Sequence, residues 1–205
     1  MKTGVILIYD GTFNGFLSGI YQAFEEHMEL VDIQQEGKSQ NEFFAQTLKV
    51  TTNIEQAKQV WYTLRDKNYE SLKNIYFAFL SELPGIELHL YHQIETMIKG
   101  NKETGSGNST TTPINLADLA TRVADEKRAI EIGLDLNFPK GKAPVVNLKP
   151  KYNILPLISK YFRLAYPSGP WVIFDQVRNY GLYYDGVSVN LTPEVPALFQ
   201  LADAA

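Results

Sequence analysis

Apolar positions along the chain change their period several times, and each change marks an element. Val5 to Tyr9 is continuously apolar, the pattern of a strand covered on both faces and lying inside a sheet. After Asp10-Gly11-Thr12, the residues Phe13, Phe16, Leu17, Ile20, Tyr21, Phe24 and Met28 recur at three- and four-residue spacing. They form one stripe of a helix, capped by Asp10 or Thr12. A polar stretch over 34–40 and a short strand over 48–52 follow. Asn53-Ile54-Glu55-Gln56 reads as a helix start with Ile54, Ala57, Trp61 and Leu64 on its apolar side. Leu72, Ile75, Tyr76, Phe79 and Leu80 mark a further helix ended by Pro84-Gly85, and Ile86, Leu90, Ile94 and Met97 mark the next.

Residues 100–112 contain no apolar side chain and cannot repay the entropy of ordering, so they read as a flexible loop. A helix with Leu116, Leu119, Ala120 and Val123 comes next. The period then changes to two: Ile130, Ile132, Leu134, Leu136 and Phe138 alternate with Glu131, Gly133, Asp135 and Asn137, as in a half-buried strand. Pro139-Lys140-Gly141-Lys142 turns this strand into Val145-Val146-Asn147-Leu148 as a hairpin, and Asn153 starts a short helix through Phe162. Strands over 171–174, 181–184 and 187–189 form a closing meander, with Asp185-Gly186 as a two-residue hairpin turn. Strands at both ends with helices between them predict a single α+β domain over residues 1–205, with several helices packed on a mostly antiparallel sheet.

A chain of 205 residues can bury roughly 70% of its unfolded surface in one core. Hydrophobic residues make up 44% and aromatics 12%, which excludes global disorder. No apolar run reaches the length of a membrane span, and the short apolar start lacks a small-residue cleavage site, so a soluble protein with no membrane contact is expected. The absence of cysteine removes disulfides and thiolate metal sites and fits a cytoplasmic location. Charge is uneven. Between Leu136 and Phe174 lie Lys140, Lys142, Lys149, Lys151, Lys160 and Arg163 and no Asp or Glu, which leaves the rest of the chain at −10 within a total of −4. A basic face on an acidic body steers polyanions.

Three carboxylates, Asp10, Asp175 and Asp185, stand at strand ends, where a general acid or base can be placed. Turn and capping chemistry accounts for Asp10 and Asp185 equally well. His89 and His92, three apart with Glu87 and Glu95 nearby, lack an evident third ligand, so no metal site is expected. The chain has none of the common phosphate-binding, dinucleotide-binding or serine-nucleophile motifs, and no cofactor is predicted. Tyr152, Tyr161, Phe162, Tyr166 and Trp171 interleave the basic stretch and offer stacking surfaces for single-stranded bases. Tyr161 and Phe162 are adjacent on a helix, so they point in different directions and at least one is buried.

Four blocks carry a family resemblance: Tyr9-Asp10-Gly11-Thr12-Phe13-x-Gly15-Phe16-Leu17; Ala78-Phe79-Leu80-Ser81-Glu82-Leu83-Pro84-Gly85; Tyr152-Asn153-Ile154-Leu155-Pro156-Leu157-Ile158; and Pro170-Trp171-x-Ile173-x-Asp175-x-x-Arg178-x-Tyr180-Gly181-Leu182-Tyr183-Tyr184-Asp185-Gly186. Together they resemble a bacterial family of unknown function described as probable DNA metabolism proteins. The resemblance spans almost the whole chain, and none of the blocks is a catalytic motif. Members typically accompany a radical-SAM protein thought to act in DNA modification or repair, and a related domain is fused to uracil-DNA-glycosylase-like domains. Where the family carries a basic His-Arg-Met-Lys-like run, this chain has Asp125-Glu126-Lys127-Arg128.

The resemblance implies an accessory protein of DNA repair or modification with a radical-SAM partner, binding that partner, nucleic acid, or both. Lys140, Lys142, Lys149, Lys151, Lys160, Arg163 and Arg178 are the nucleic-acid-binding candidates. Two alternatives stand beside it: a hydrolase or glycosylase-like enzyme using the strand-end carboxylates, and a purely structural partner-binding domain.

Overall fold

The computed structural model describes residues 4–37, 46–100, 114–137 and 144–196. Lys140, Lys142 and, apart from Gly100, the predicted loop at 100–112 lie outside them. The chain divides into two compact units, residues 1–120 and 121–205, each with its own sheet.

In the first unit β1 (Val5–Tyr9) is the central strand of three, flanked by β2 (Leu30–Gln35) and β3 (Gln46–Lys49), with both pairings parallel. Ile6, Leu7 and Tyr9 are buried, as the continuous apolar run requires. The helix α1 (Phe13–Glu25) carries the chain back across the sheet, so β2 must run in the same direction as β1. Its buried face is Phe16, Leu17, Ile20 and Ala23. Thr12, rather than Asp10, is the cap: its hydroxyl accepts from the Gly15 amide at 2.9 Å. Asp10 in turn grips Thr12, accepting from its amide at 2.9 Å and its hydroxyl at 2.7 Å, and also from the Thr52 hydroxyl at 2.7 Å. Gly15 fits against this clip because a Cβ there would lie 2.1 Å from Asp10 Oδ1.

Helices α2 (Ile54–Lys67), α3 (Tyr69–Phe79) and α4 (Ile86–Lys99) complete the unit, with Asn53 capping α2 through its side-chain oxygen. Leu64, Leu72, Ile75, Ile86, Leu90 and Ile94 are essentially solvent-free and pack with Leu7, Phe16 and Ile20 in one core. The polar strand β2 escapes the hydrophobic pattern because only Ile33 is buried.

The second unit overturns the predicted strand at 130–138. Residues Leu116–Asn137 form one helix, α5. Its buried positions Leu119, Ala120, Val123, Glu131 and Leu134 follow the helical period, and Ile132 is 55% exposed. Ile130 and Leu134, four apart, can share one helix face, so alternation in the sequence did not require a strand. The run from Ala124 to Glu131 is rich in helix formers and contains no Gly or Pro.

With that strand absent, the predicted hairpin into β4 (Val145–Leu148) does not form. β4 instead pairs in parallel with β5 (Trp171–Asp175), connected through α6 (Leu155–Ala165). The predicted meander is present: β5, β6 (Tyr180–Tyr184) and β7 (Val189–Thr192) are antiparallel neighbours in the order β4-β5-β6-β7. The fold is α+β, but the sheets are not mostly antiparallel, since one is parallel throughout and the other mixed.

The turn at Asp185-Gly186 is longer than two residues, because Tyr184 pairs with Val189. Asp185 Oδ1 accepts from the amides of Val187 and Ser188, both at 2.7 Å, and Gly186 takes a φ of +100°. Side-chain capping of two amides favours this wider turn over the tight one.

The Asp10 clip yields a test. Partial burial raises the Asp10 carboxyl pKa, but the hydrogen bonds from Thr12 and Thr52 outweigh it and hold it below the usual carboxylate range. The stabilisation is therefore fully present above the ordinary carboxylate pKa and is lost as pH falls through the lowered one. Asp10→Asn is expected to lower stability by about 1 kcal/mol at neutral pH. In thermal unfolding the gap to the native protein closes in acid. Gly15→Ala is expected to cost about 2 kcal/mol by overpacking the same clip.

Candidate functional site

The most tightly built surface feature of the second unit is the loop between β4 and α6. Three elements hold it. Glu126 on α5 accepts from the Lys151 amide at 2.7 Å with one oxygen and from the Tyr152 amide at 2.8 Å with the other. Arg178, in the β5–β6 turn, donates to the Pro150 carbonyl at 3.3 Å and the Lys151 carbonyl at 3.0 Å. Tyr180 on β6 donates its hydroxyl to the Asn153 side chain. Pro150, Tyr152 and Ile154 are buried, so the loop turns every second side chain inward. Lys149 and Lys151 project outward and are exposed, the latter with its ammonium 5.1 Å from the Tyr152 ring centroid.

Arg178 is itself held by Asp175. The carboxylate, with no solvent exposure, pairs with the guanidinium at 2.9 Å and accepts from the amides of Val177 and Arg178 at 2.8 and 3.1 Å. A guanidinium suits this position because its planar fork serves a carboxylate and two carbonyls at once.

Lys160 and Arg163 lie three apart on α6, both exposed, with Arg163 in its last turn. Between them Tyr161 is 36% exposed and Phe162 fully buried, the divergence expected of helix neighbours. Tyr161 and Tyr166 both donate their hydroxyls to the exposed Asp135 carboxylate, the second at 2.9 Å. The hydrogen bond to Asp135 pushes the Tyr161 hydroxyl up to about 12, so this phenol stays protonated at neutral pH. One turn earlier, Glu131 pairs through Oε2 with Lys127 at 2.8 Å, while its buried Oε1 meets no hydrogen-bond partner among the described residues.

Among the sequence candidates the structure thus brings Lys149, Lys151 and Arg178 to one loop and Lys160 and Arg163 to one helix. Asp175 and Asp185 stand at opposite ends of β6 and are not brought together as a pair, and Asp10 belongs to the other unit. Asp10 is engaged by Thr12 and Thr52, Asp175 by two amides and Arg178, and Asp185 by its own turn, where the Ser188 and Val187 amides hold its carboxyl below the usual range. His89 faces the Gly85 carbonyl at 3.1 Å and His92 lies 3.7 Å from Glu95. Among the described residues no group of three or more His, Asp or Glu is placed to hold a metal, and no helix is long and apolar enough to cross a membrane.

Sequence reasoning missed Glu126 and Asp135. Asp135 lies in the segment whose alternation predicts a strand and Glu126 lies just before it; a helical period through both sets Glu126, Arg128 and Asp135 on α5.

Removing Arg178 would leave a buried, unpaired carboxylate. Arg178→Ala is expected to reduce stability by about 3 to 5 kcal/mol in urea unfolding. Arg178→Lys is expected to recover little, since one ammonium cannot span the carboxylate and both carbonyls.

Comparison with known families finds that a domain of unknown function, DUF4130, matches residues 84–203. No curated protein matches the chain.

Proposed function

The chain belongs to the DUF4130 family, and from that premise we propose that it is a nucleic-acid-binding accessory protein of DNA repair or modification, working with a radical-SAM protein. The observation that carries the reading is the β4–α6 loop. Glu126 and Arg178 hold its backbone and Tyr180 holds the Asn153 side chain, while Lys149 and Lys151 remain exposed. Ammonium groups on a pre-ordered loop meet phosphates with little further loss of backbone entropy. Lys160 and Arg163 add two cations on one helix, in the same acid-poor stretch of sequence. Tyr161, on the same helix and partly exposed, offers a ring for base stacking. The DNA-repair setting and the radical-SAM partner rest on the four-block resemblance. The loop supports only the nucleic-acid part.

Fluorescence anisotropy with a labelled duplex and a labelled single strand tests this. Four phosphate contacts give a log–log salt slope of about −3 to −4 on duplex DNA. A Lys149→Glu, Lys151→Glu double variant is expected to bind all sequences more weakly and to flatten the slope by about 2. Absent or salt-insensitive binding, with capture of a radical-SAM protein from nuclease-treated native cells, would make the chain a structural partner domain instead.

A further inference from the structure

In the first unit α1 packs against α2, and the groove between them holds a hollow of about 250 Å³ lined by Asn14, Leu17, Ala57, Lys58, Trp61 and Tyr62. Its floor is apolar, because Leu17 and Ala57 are each 1% exposed. Its wall is aromatic and fixed. The Trp61 indole is half-buried and held edge-to-face by Phe13 at 6.1 Å and by Tyr76 at 6.3 Å. Tyr62 is 47% exposed, and the Arg65 guanidinium covers its ring at 4.8 Å. The rim is polar. The Asn14 side chain is exposed and makes no hydrogen bond with the described residues, and Lys58 reaches solvent while paired with Glu55 at 2.9 Å.

An aliphatic side chain would fill the floor and leave the Asn14 amide unused and the Lys58 ammonium on its exposed pairing with Glu55 alone. A planar heterocycle bearing a phosphate uses every part: its face on the aromatic wall, its edge on a carboxamide that can both donate and accept, and its charge on lysine. We propose that the α1–α2 hollow binds a nucleobase carrying a phosphate, either as a free nucleotide or as one unit of a strand. The residues lie wholly outside the 84–203 match and share none with the β4–α6 loop.

The chain has two tryptophans, and Trp171 is 1% exposed, so ligand quenching of tryptophan emission reports on Trp61. Titration with AMP and with a short oligodeoxyadenylate is expected to quench that emission, while ribose 5-phosphate, lacking the base, is not. Trp61→Phe keeps a ring against Phe13 and Tyr76 and is expected to weaken AMP binding severalfold by calorimetry with an unchanged circular dichroism spectrum. Asn14→Ala, at an exposed position, is expected to weaken AMP binding about tenfold by calorimetry. Quenching by AMP alone identifies a free nucleotide as ligand, and quenching by both probes identifies a strand unit. Oligonucleotide binding by anisotropy with silent Trp61 emission for both probes overturns this proposal and leaves the loop reading standing. AMP quenching without oligonucleotide binding does the reverse. Competition by ribose 5-phosphate equal to that of AMP also overturns it, since the base would then contribute nothing.

Discussion

The second unit depends on a buried charge pair at the end of β5. Asp175 has no contact with water, and such a carboxylate is tolerable only if its oxygens are occupied. Two backbone amides and the Arg178 guanidinium occupy them. The guanidinium still has donors to spare, and two of them reach the carbonyls of Pro150 and Lys151. A requirement set by burial inside the sheet thus becomes a geometric constraint on a surface loop. Glu126 closes the same loop from α5 with an exchange of opposite sense, side-chain acceptor to backbone donors. Polar networks of this kind favour one arrangement strongly because a partly satisfied version is costly.

The first unit solves an equivalent problem with less charge and more shape. Asp10, at the end of its central strand, is exposed rather than buried and binds hydroxyls rather than a cation. What fixes it is proximity, since Gly15 alone lets the first turn of α1 approach the carboxylate so closely. The two Asp-containing strand ends look alike in sequence and do different physical work. The first clips a helix to a loop across 42 positions of sequence separation, and the other carries a turn and a salt bridge.

Much of this was legible in the residues. The central strand at Val5–Tyr9, the amphipathic stripe of α1, the Asn53 cap and the closing meander each rest on local signals that tertiary packing did not oppose. The parallel pairings were hidden, because β2 is polar and its partner choice is set by the returning helix rather than by its own composition. At 130–138 the alternation of apolar and polar residues concealed a helix, since Glu131 is buried and Ile132 exposed against the ordinary preference of each. The candidate site was legible only in part. Its basic side chains could be named from charge alone, but the acidic side chain that shapes their loop could not.

The way the loop is held also limits what it can discriminate. Its amides at Lys151 and Tyr152 are taken by Glu126, and its carbonyls at Pro150 and Lys151 by Arg178. A rigid backbone with those groups already occupied offers a ligand little directional lettering at that spot. What remains are long, mobile, strongly hydrated ammonium groups, which register the spacing of negative charges and ignore the identity of whatever bears them.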